Sequence, residues 1–185
     1  GAYANAEMGG LRGHKRFCWE GGIRVSWIAT WTARVPGGRV SAEPVIQLDV
    51  LPTGLAAAGA EVKPDWQLDG VNLLPLLEGR VDKLPPRELY FRFGIQHAVR
   101  QGDWKLVKAG KDMEPMLTNL VQDRGEQKDL TAQFPDKKRE LQSLFDKWNS
   151  TMPPPRWEEC RQSEWRSRRR ENALAPGEGR AFPGL

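Results

Sequence analysis

Apolar positions change their period several times along this chain, and each period implies a different element. The run Ile23-Arg-Val-Ser-Trp-Ile-Ala-Thr-Trp31 is almost continuously apolar, β-branched and aromatic, which predicts a strand buried on both faces. Arg34-Val-Pro-Gly-Gly38 then predicts a turn. Asp49 stands where it can cap a helix over 50–58, with Pro52 tolerated in the first turn and Gly59 as the residue just past the end. Gly54 within that helix weakens it by about 1 kcal/mol relative to Ala. Residues 68–79 predict a turn and a short helix that stops at Gly79, and Pro85-Pro86 marks a boundary.

Beyond the boundary the period shortens to that of strands. Candidates fall at 88–93, 97–100 and 104–108, with a tight turn at Gly102-Asp103 and a fourth candidate at 116–121. Such hairpins predict a small antiparallel sheet. Phe134-Pro-Asp136 opens the last helix, whose stripe of Leu141, Leu144, Phe145 and Trp148 is expected to lie on that sheet. Pro153-Pro-Pro155 closes it, and from Glu158 onward the sequence is polar and aperiodic. The fold class is therefore α/β, becoming α+β in the C-terminal part. Residues 1–84 are expected to form one unit, 85–157 a small sheet subdomain with its terminal helix, and 158–185 a disordered tail.

Composition adds bounds. With 185 residues and 39% hydrophobic content the chain can bury one core and carry a tail. No apolar run approaches the roughly 18 residues of a membrane span. Gly1-Ala-Tyr-Ala-Asn5 resembles neither an initiating segment nor a signal peptide, so a trimmed or incomplete product is expected. Cys18 and Cys160 lie far apart in unlike surroundings, supporting neither a disulfide framework nor a metal cluster. Cys18 reads as a small, partly buried hydrophobe in preference to a reactive thiol. The net charge of +4 permits an acidic partner. Arg166, Arg168, Arg169 and Arg170 cluster, but Glu158, Glu159, Glu164, Glu171 and Glu178 dilute them.

Candidate chemistry concentrates in Leu11-Arg-Gly-His-Lys-Arg-Phe-Cys-Trp-Glu-Gly-Gly-Ile-Arg-Val25. Here Lys15 can place an ammonium beside an anion, while Gly21-Gly22 are expected to give the backbone angles that a Cβ forbids. Arg12 can support the anion or pair with Glu20, and pairing is preferred. Glu20 and Arg24 are expected to orient the turn through hydrogen bonds and an ion pair.

The turn and its company, Glu20-Gly-Gly-Ile-Arg-Val25, a strand ending in Trp31, and 41–49 leading into Leu51-Pro-Thr53, resemble the C-terminal part of type I sulfatases. The resemblance continues through Leu68-Asp-Gly70, Leu73-Leu-Pro-Leu-Leu77, Ala98-Val-Arg-Gln-Gly-Asp-Trp-Lys-Leu106, Asn119-Leu120, Gly125-Glu-Gln-Lys-Asp-Leu130 and Pro153-Pro-Pro-Arg-Trp157. It covers residues 9–157. It implies a fragment of an alkaline-phosphatase-like fold, with 23–31 as a strand at the end of the large sheet and 88–149 as the small antiparallel sheet packed by a C-terminal helix.

The same resemblance implies sulfate ester hydrolysis with calcium and a formylglycine made within a Cys/Ser-x-Pro-x-Arg motif. No such motif occurs here: Cys18 is followed by Trp-Glu and Cys160 by Arg-Gln. The family's metal-binding Asp-Asn-Gly segment would fall just upstream of the turn, for which Asn5 and Glu7 are poor substitutes, so neither group is expected on residues of this chain. Lys15 matches the family lysine that contacts sulfate. His14, Gln96 and His97 are weaker candidates for substrate contact, set against a turn-side histidine and an ordinary exposed loop. Ser26, Gly54 and Thr118 depart from the family pattern. The implied partner is a carbohydrate or aryl sulfate, a polysaccharide sulfate being preferred. Neither membrane nor nucleic acid is expected, and the oligomeric state is open. A periplasmic or secreted location follows from the resemblance alone. One alternative is a non-catalytic module holding sulfated or other polyanionic polymers; another is a truncated reading frame with an aggregation-prone edge at 23–31.

Overall fold

A computed structural model describes residues 7–154. Asn5, Cys160, the arginine cluster, the Pro155–Trp157 close and the expected tail at 158–185 lie outside the described residues.

Four strands carry the core: β1 (Glu88–Phe93), β2 (Gln96–Gln101), β3 (Trp104–Lys108) and β4 (Met116–Asn119). They form one antiparallel meander in sequential order, with β2 opposite β3 from His97↔Lys108 to Gln101↔Trp104. The two residues between those strands, Gly102-Asp103, make the expected tight turn, and Gly102 takes the positive φ of +57° that such a turn requires. Period-2 alternation then sorts side chains onto two faces. Val99, Leu106 and Leu117 face one way with Tyr90 and Trp104; Ala98, Val107 and Met116 face the other with Phe91.

The first face is covered by the last helix, Pro135–Thr151, whose Leu141 and Phe145 are buried on the sheet beside Leu144 and Trp148. Trp148 stacks on Tyr90 with ring centroids 4.9 Å apart. Pro135 at the first helical position has no N–H to leave unpaired, and Met152 ends the helix in extended backbone just before Pro153.

The N-terminal half is sparser. A one-turn helix, α1 (Glu20–Ile23), precedes α2 (Val50–Ala57) and α3 (Leu74–Leu77). Gly59, at φ +68°, closes α2 through the Ala60 amide to Leu55 carbonyl bond of 2.9 Å. Asp49, expected as a helix cap, does something else. Its side chain makes no cap bond to α2; it is fully buried, accepts the Ile46 and Val71 amides at 2.9 Å each, and holds Arg87 bidentately at 2.6 and 2.7 Å. A guanidinium gains more from a buried carboxylate than a helix end does, so the pair joins the start of α2 to the residue leading into β1.

The strand expected at 23–31 is not present in the described residues. Ile23 closes α1 and Arg24 is extended (φ −88°, ψ 125°), but no other strand lies alongside 24–31. An extended segment becomes a strand only when a neighbour accepts its hydrogen bonds, so a strong β pattern stands here unpaired. Val25 is 81% and Ile28 86% exposed. Trp27 and Trp31 turn toward Val50, Thr53, Leu74 and Leu77 across an apolar cavity of ≈ 230 Å³. Among the described residues no helix is long and apolar enough to cross a membrane.

Candidate anion-binding turn

The free face of the sheet receives residues 11–20, and local chemistry explains how. Gly13 at φ +76° and Arg16 at φ +86° reverse the chain on either side of His14 and Lys15. The loop is pinned by the Phe17 amide to the His14 carbonyl at 3.0 Å and by the Gly21 amide to the Arg12 carbonyl at 2.8 Å. Gly21 and Gly22 do not take positive φ, so the reason expected for them is corrected. They are needed for close approach: a Cβ on Gly21 would sit 2.4 Å from the Gly13 carbonyl oxygen, and one on Gly22 2.1 Å from that of Phe17.

Below the turn, Cys18 and Trp19 are buried against Ala98, Val107 and Met116. Burial pushes the Cys18 thiol up to about 11, against the lowering charge of Lys105 and a hydrogen bond to the Phe93 backbone. Gln96 opens β2 on the same face. Its Nε2 donates to the Arg16 carbonyl at 2.9 Å and its Oε1 accepts the Cys18 amide at 3.4 Å, so it clamps the turn to the sheet.

The other sequence candidates divide. Lys15 is exposed, and among the described residues its ammonium has no hydrogen bond or ion pair. His14 Nδ1 lies 3.0 Å from the Lys15 carbonyl oxygen and its ring meets Phe17 edge-on. His97 is not brought to the turn: its side chain lies on the helix face, stacked on Phe145 with centroids 4.1 Å apart. Burial, and then the Lys108 charge, lower its pKa.

Arg12 does not pair with Glu20 as preferred from sequence. Its Nη1 donates to the Glu126 carbonyl at 2.7 Å and its guanidinium lies over the Trp19 ring, 3.9 Å from the centroid. Glu20 keeps a longer contact with Arg24, 3.7 Å, but its principal partner is Lys105, whose Nζ donates to Oε1 at 2.9 Å. Lys105 Nζ is also 2.8 Å from Glu126 Oε1, and Glu126 Oε2 accepts the Glu20 amide at 2.6 Å. Burial raises the Glu126 carboxyl above its ordinary range, although Lys105 pulls it down.

Sequence reasoning did not single out Lys105 or Glu126. The available signal was weak: in Trp104-Lys-Leu-Val-Lys108 alternation puts Lys105 on the side of Val107, an inward position occupied by a charge. No group of three or more His, Cys, Asp or Glu side chains among the described residues could hold a metal ion, so these residues do not fit the calcium implied by resemblance. The site so built is an ammonium on a short, braced turn, without a partner among the described residues and able to pair with an anion from solvent.

No family model matches the chain. Among curated proteins it is similar to the steryl-sulfatase of Mus musculus, 31% identical over 175 residues covering 75% of this chain and 28% of the relative. It is also similar to arylsulfatase D of Homo sapiens, 43% identical over 79 residues, covering 43% and 13%. The N-acetylgalactosamine-6-sulfatase of Sus scrofa is 36% identical over 92 residues, covering 49% and 17%. The chain thus spans less than a third of the length of these relatives. Among solved structures, Ps i-CgsB superimposes with a TM-score of 0.70 at 27% identity, covering 90% of this chain and 37% of that one. That protein is also known in complex with k-i-k-neocarrahexaose. The PsFucS1 sulfatase from Pseudoalteromonas shares the fold, with a TM-score of 0.62 at 22% identity over 77% of this chain and 32% of that one.

Proposed function

Because this chain belongs to the sulfatase family, we propose that it is the C-terminal portion of a sulfuric ester hydrolase in which Lys15 holds the sulfate group of the substrate. The observation that carries this is the Lys15 ammonium, exposed and with no partner among the described residues, on a turn braced from both ends. Cleavage of a sulfate ester moves negative charge onto the sulfate and leaving-group oxygens. A fixed ammonium stabilises that charge more in the transition state than in the ground state. His14, next to it, and Gln96, which holds the turn on β2, shape the approach to Lys15.

Formylglycine and calcium, where the family uses them, supply a nucleophile and charge neutralisation. This chain lacks the Cys/Ser-x-Pro-x-Arg motif, and in this reading the nucleophile is supplied from outside it and the metal ligands from outside the described residues. The unpaired segment 24–31 then joins the sheet of that larger catalytic unit. The substrate we propose is a carbohydrate sulfate. The likeness to Ps i-CgsB, known with a bound oligosaccharide, supports the carbohydrate over the aryl class.

The test is kinetic. In the enzyme expressed from the full reading frame, Lys15→Ala lowers kcat for 4-nitrophenyl sulfate by about 100-fold or more. A loss below about threefold removes Lys15 from the site. The 185-residue chain alone releases no sulfate; calcium-dependent release by it would overturn the division of labour.

A further inference from the structure

The free face of the sheet holds a buried charge cluster that the sulfate reading does not use. Lys105 has no exposed surface, is the second residue of β3, and meets two carboxylates from two other segments: Glu20 at the end of the turn and Glu126 in the loop after β4. Burying an ammonium is costly, and for stability alone a well-packed apolar side chain serves as well or better. Glu126 adds a second cost, a left-handed backbone at φ +53° in a residue with a Cβ. Two unfavourable features converging on one point call for a role other than packing.

Both ends of the Lys15 loop are tied to this point. Glu126 Oε2 accepts the Glu20 amide at 2.6 Å and the Glu126 carbonyl accepts Arg12 Nη1 at 2.7 Å, so one residue grips position 12 and position 20 together. Lys105 in turn holds both carboxylates on the sheet. There is an electrostatic consequence as well. Glu20 is the only carboxylate between Leu11 and Val25. Committed to Lys105 at 2.9 Å and buried, it is withdrawn from Lys15. An incoming anion therefore meets an ammonium with no competing carboxylate from the turn itself.

We propose that Lys105, clamped between Glu20 and Glu126, is a positioning residue for the anion turn: it fixes the loop that carries Lys15 and withdraws from Lys15 the one carboxylate that residues 11–25 contain. The proposal rests on the turn being the sulfate-binding element. Its test contains no sulfate, so the two fail separately.

Amide hydrogen exchange on this chain reads it directly. In Glu126→Ala, the amides of Phe17, Gly21 and Gly22 are expected to exchange about tenfold faster or more, while those of Val99, Leu106 and Leu117 in the sheet keep their protection. Glu126→Gln keeps an acceptor for the Glu20 amide and is expected to restore the turn amides to within about threefold of the parent. The double variant Lys105→Met with Glu126→Leu removes two of the three charges and leaves Glu20 only its Arg24 contact at 3.7 Å; it is expected to accelerate the turn amides at least about tenfold more than the sheet amides. Turn amides unchanged in the double variant would overturn the proposal, as would Gln failing to restore them. Equal acceleration of turn and sheet, or loss of folding in both Glu126→Ala and the double variant, would overturn it too, because the cluster would then support the whole sheet. Lys15→Ala is expected to leave every one of these rates unchanged.

Discussion

Gly21, Gly22 and Gly54 show how differently one residue type can act. At Gly22 a methyl group would fall 2.1 Å from the Phe17 carbonyl oxygen, so the backbone of the turn must move to admit it. Gly22→Ala is therefore expected to destabilise the chain by about 3 kcal/mol, measured by denaturant unfolding. Gly54 lies in α2, where a methyl group would meet nothing within 4 Å, and Gly54→Ala is expected to stabilise by about 1 kcal/mol in the same assay. Cys18 is the other residue whose surroundings set its chemistry. With its thiol raised to about 11, alkylation by iodoacetamide at pH 8, read by peptide mass mapping, is expected to run about 100-fold slower than for a free thiol. The burial of Cys18 follows from its apolar neighbours Phe17 and Trp19. The close approach at Gly22 does not, because the carbonyl it meets is brought there by the fold of the loop.

At the scale of elements, the pairing of Asp49 with Arg87 links α2 to β1. Burial pushes the Asp49 carboxyl up, but the hydrogen bonds from Arg87, Ile46 and Val71 and the guanidinium charge outweigh it, and its pKa lies below the ordinary value. A lowered carboxyl pKa stabilises the fold above the ordinary Asp range, near about 4, and that contribution is lost as pH falls through the lower folded value. Asp49→Asn is therefore expected to cost about 3 kcal/mol at pH 7 and to flatten the fall in Tm between about pH 5 and 3, followed by circular dichroism. The strands and the last helix were legible because each carries its own signal: alternation in Trp104–Lys108, the Gly102-Asp103 turn, and a stripe of Leu141, Phe145 and Trp148. Asp49 was misread because capping is a local rule, and its partner is 38 residues away.

For the whole molecule, the decisive feature is the mismatch between the paired four-stranded sheet and the apolar segment at 24–31, which has no partner strand among the described residues. Val25 and Ile28 are presented to solvent on backbone that has no partner strand among the described residues. In the 185-residue chain alone such an edge is expected to pair with other copies. Ile28→Lys is expected to reduce light scattering on concentration while changing unfolding free energy by no more than about 0.5 kcal/mol, because the side chain it removes is already in water.

By itself the sequence determined the elements from Glu88 onward and the family, and it singled out Lys15 as the candidate for meeting an anion, since periodicity, turn chemistry and a short motif are properties of neighbouring positions. Only the tertiary structure decided what Lys15 stands on. Arg12, Glu20, Lys105 and Glu126 lie up to 114 residues apart, and in sequence a strand lysine or a loop glutamate reads as solvated surface. Which of two faces a strand residue occupies, and which charge meets it there, is settled when the loop folds over the sheet. The same reason left 24–31 without its strand: hydrogen bonding between strands belongs to the pair, and the pattern of one member cannot supply the other.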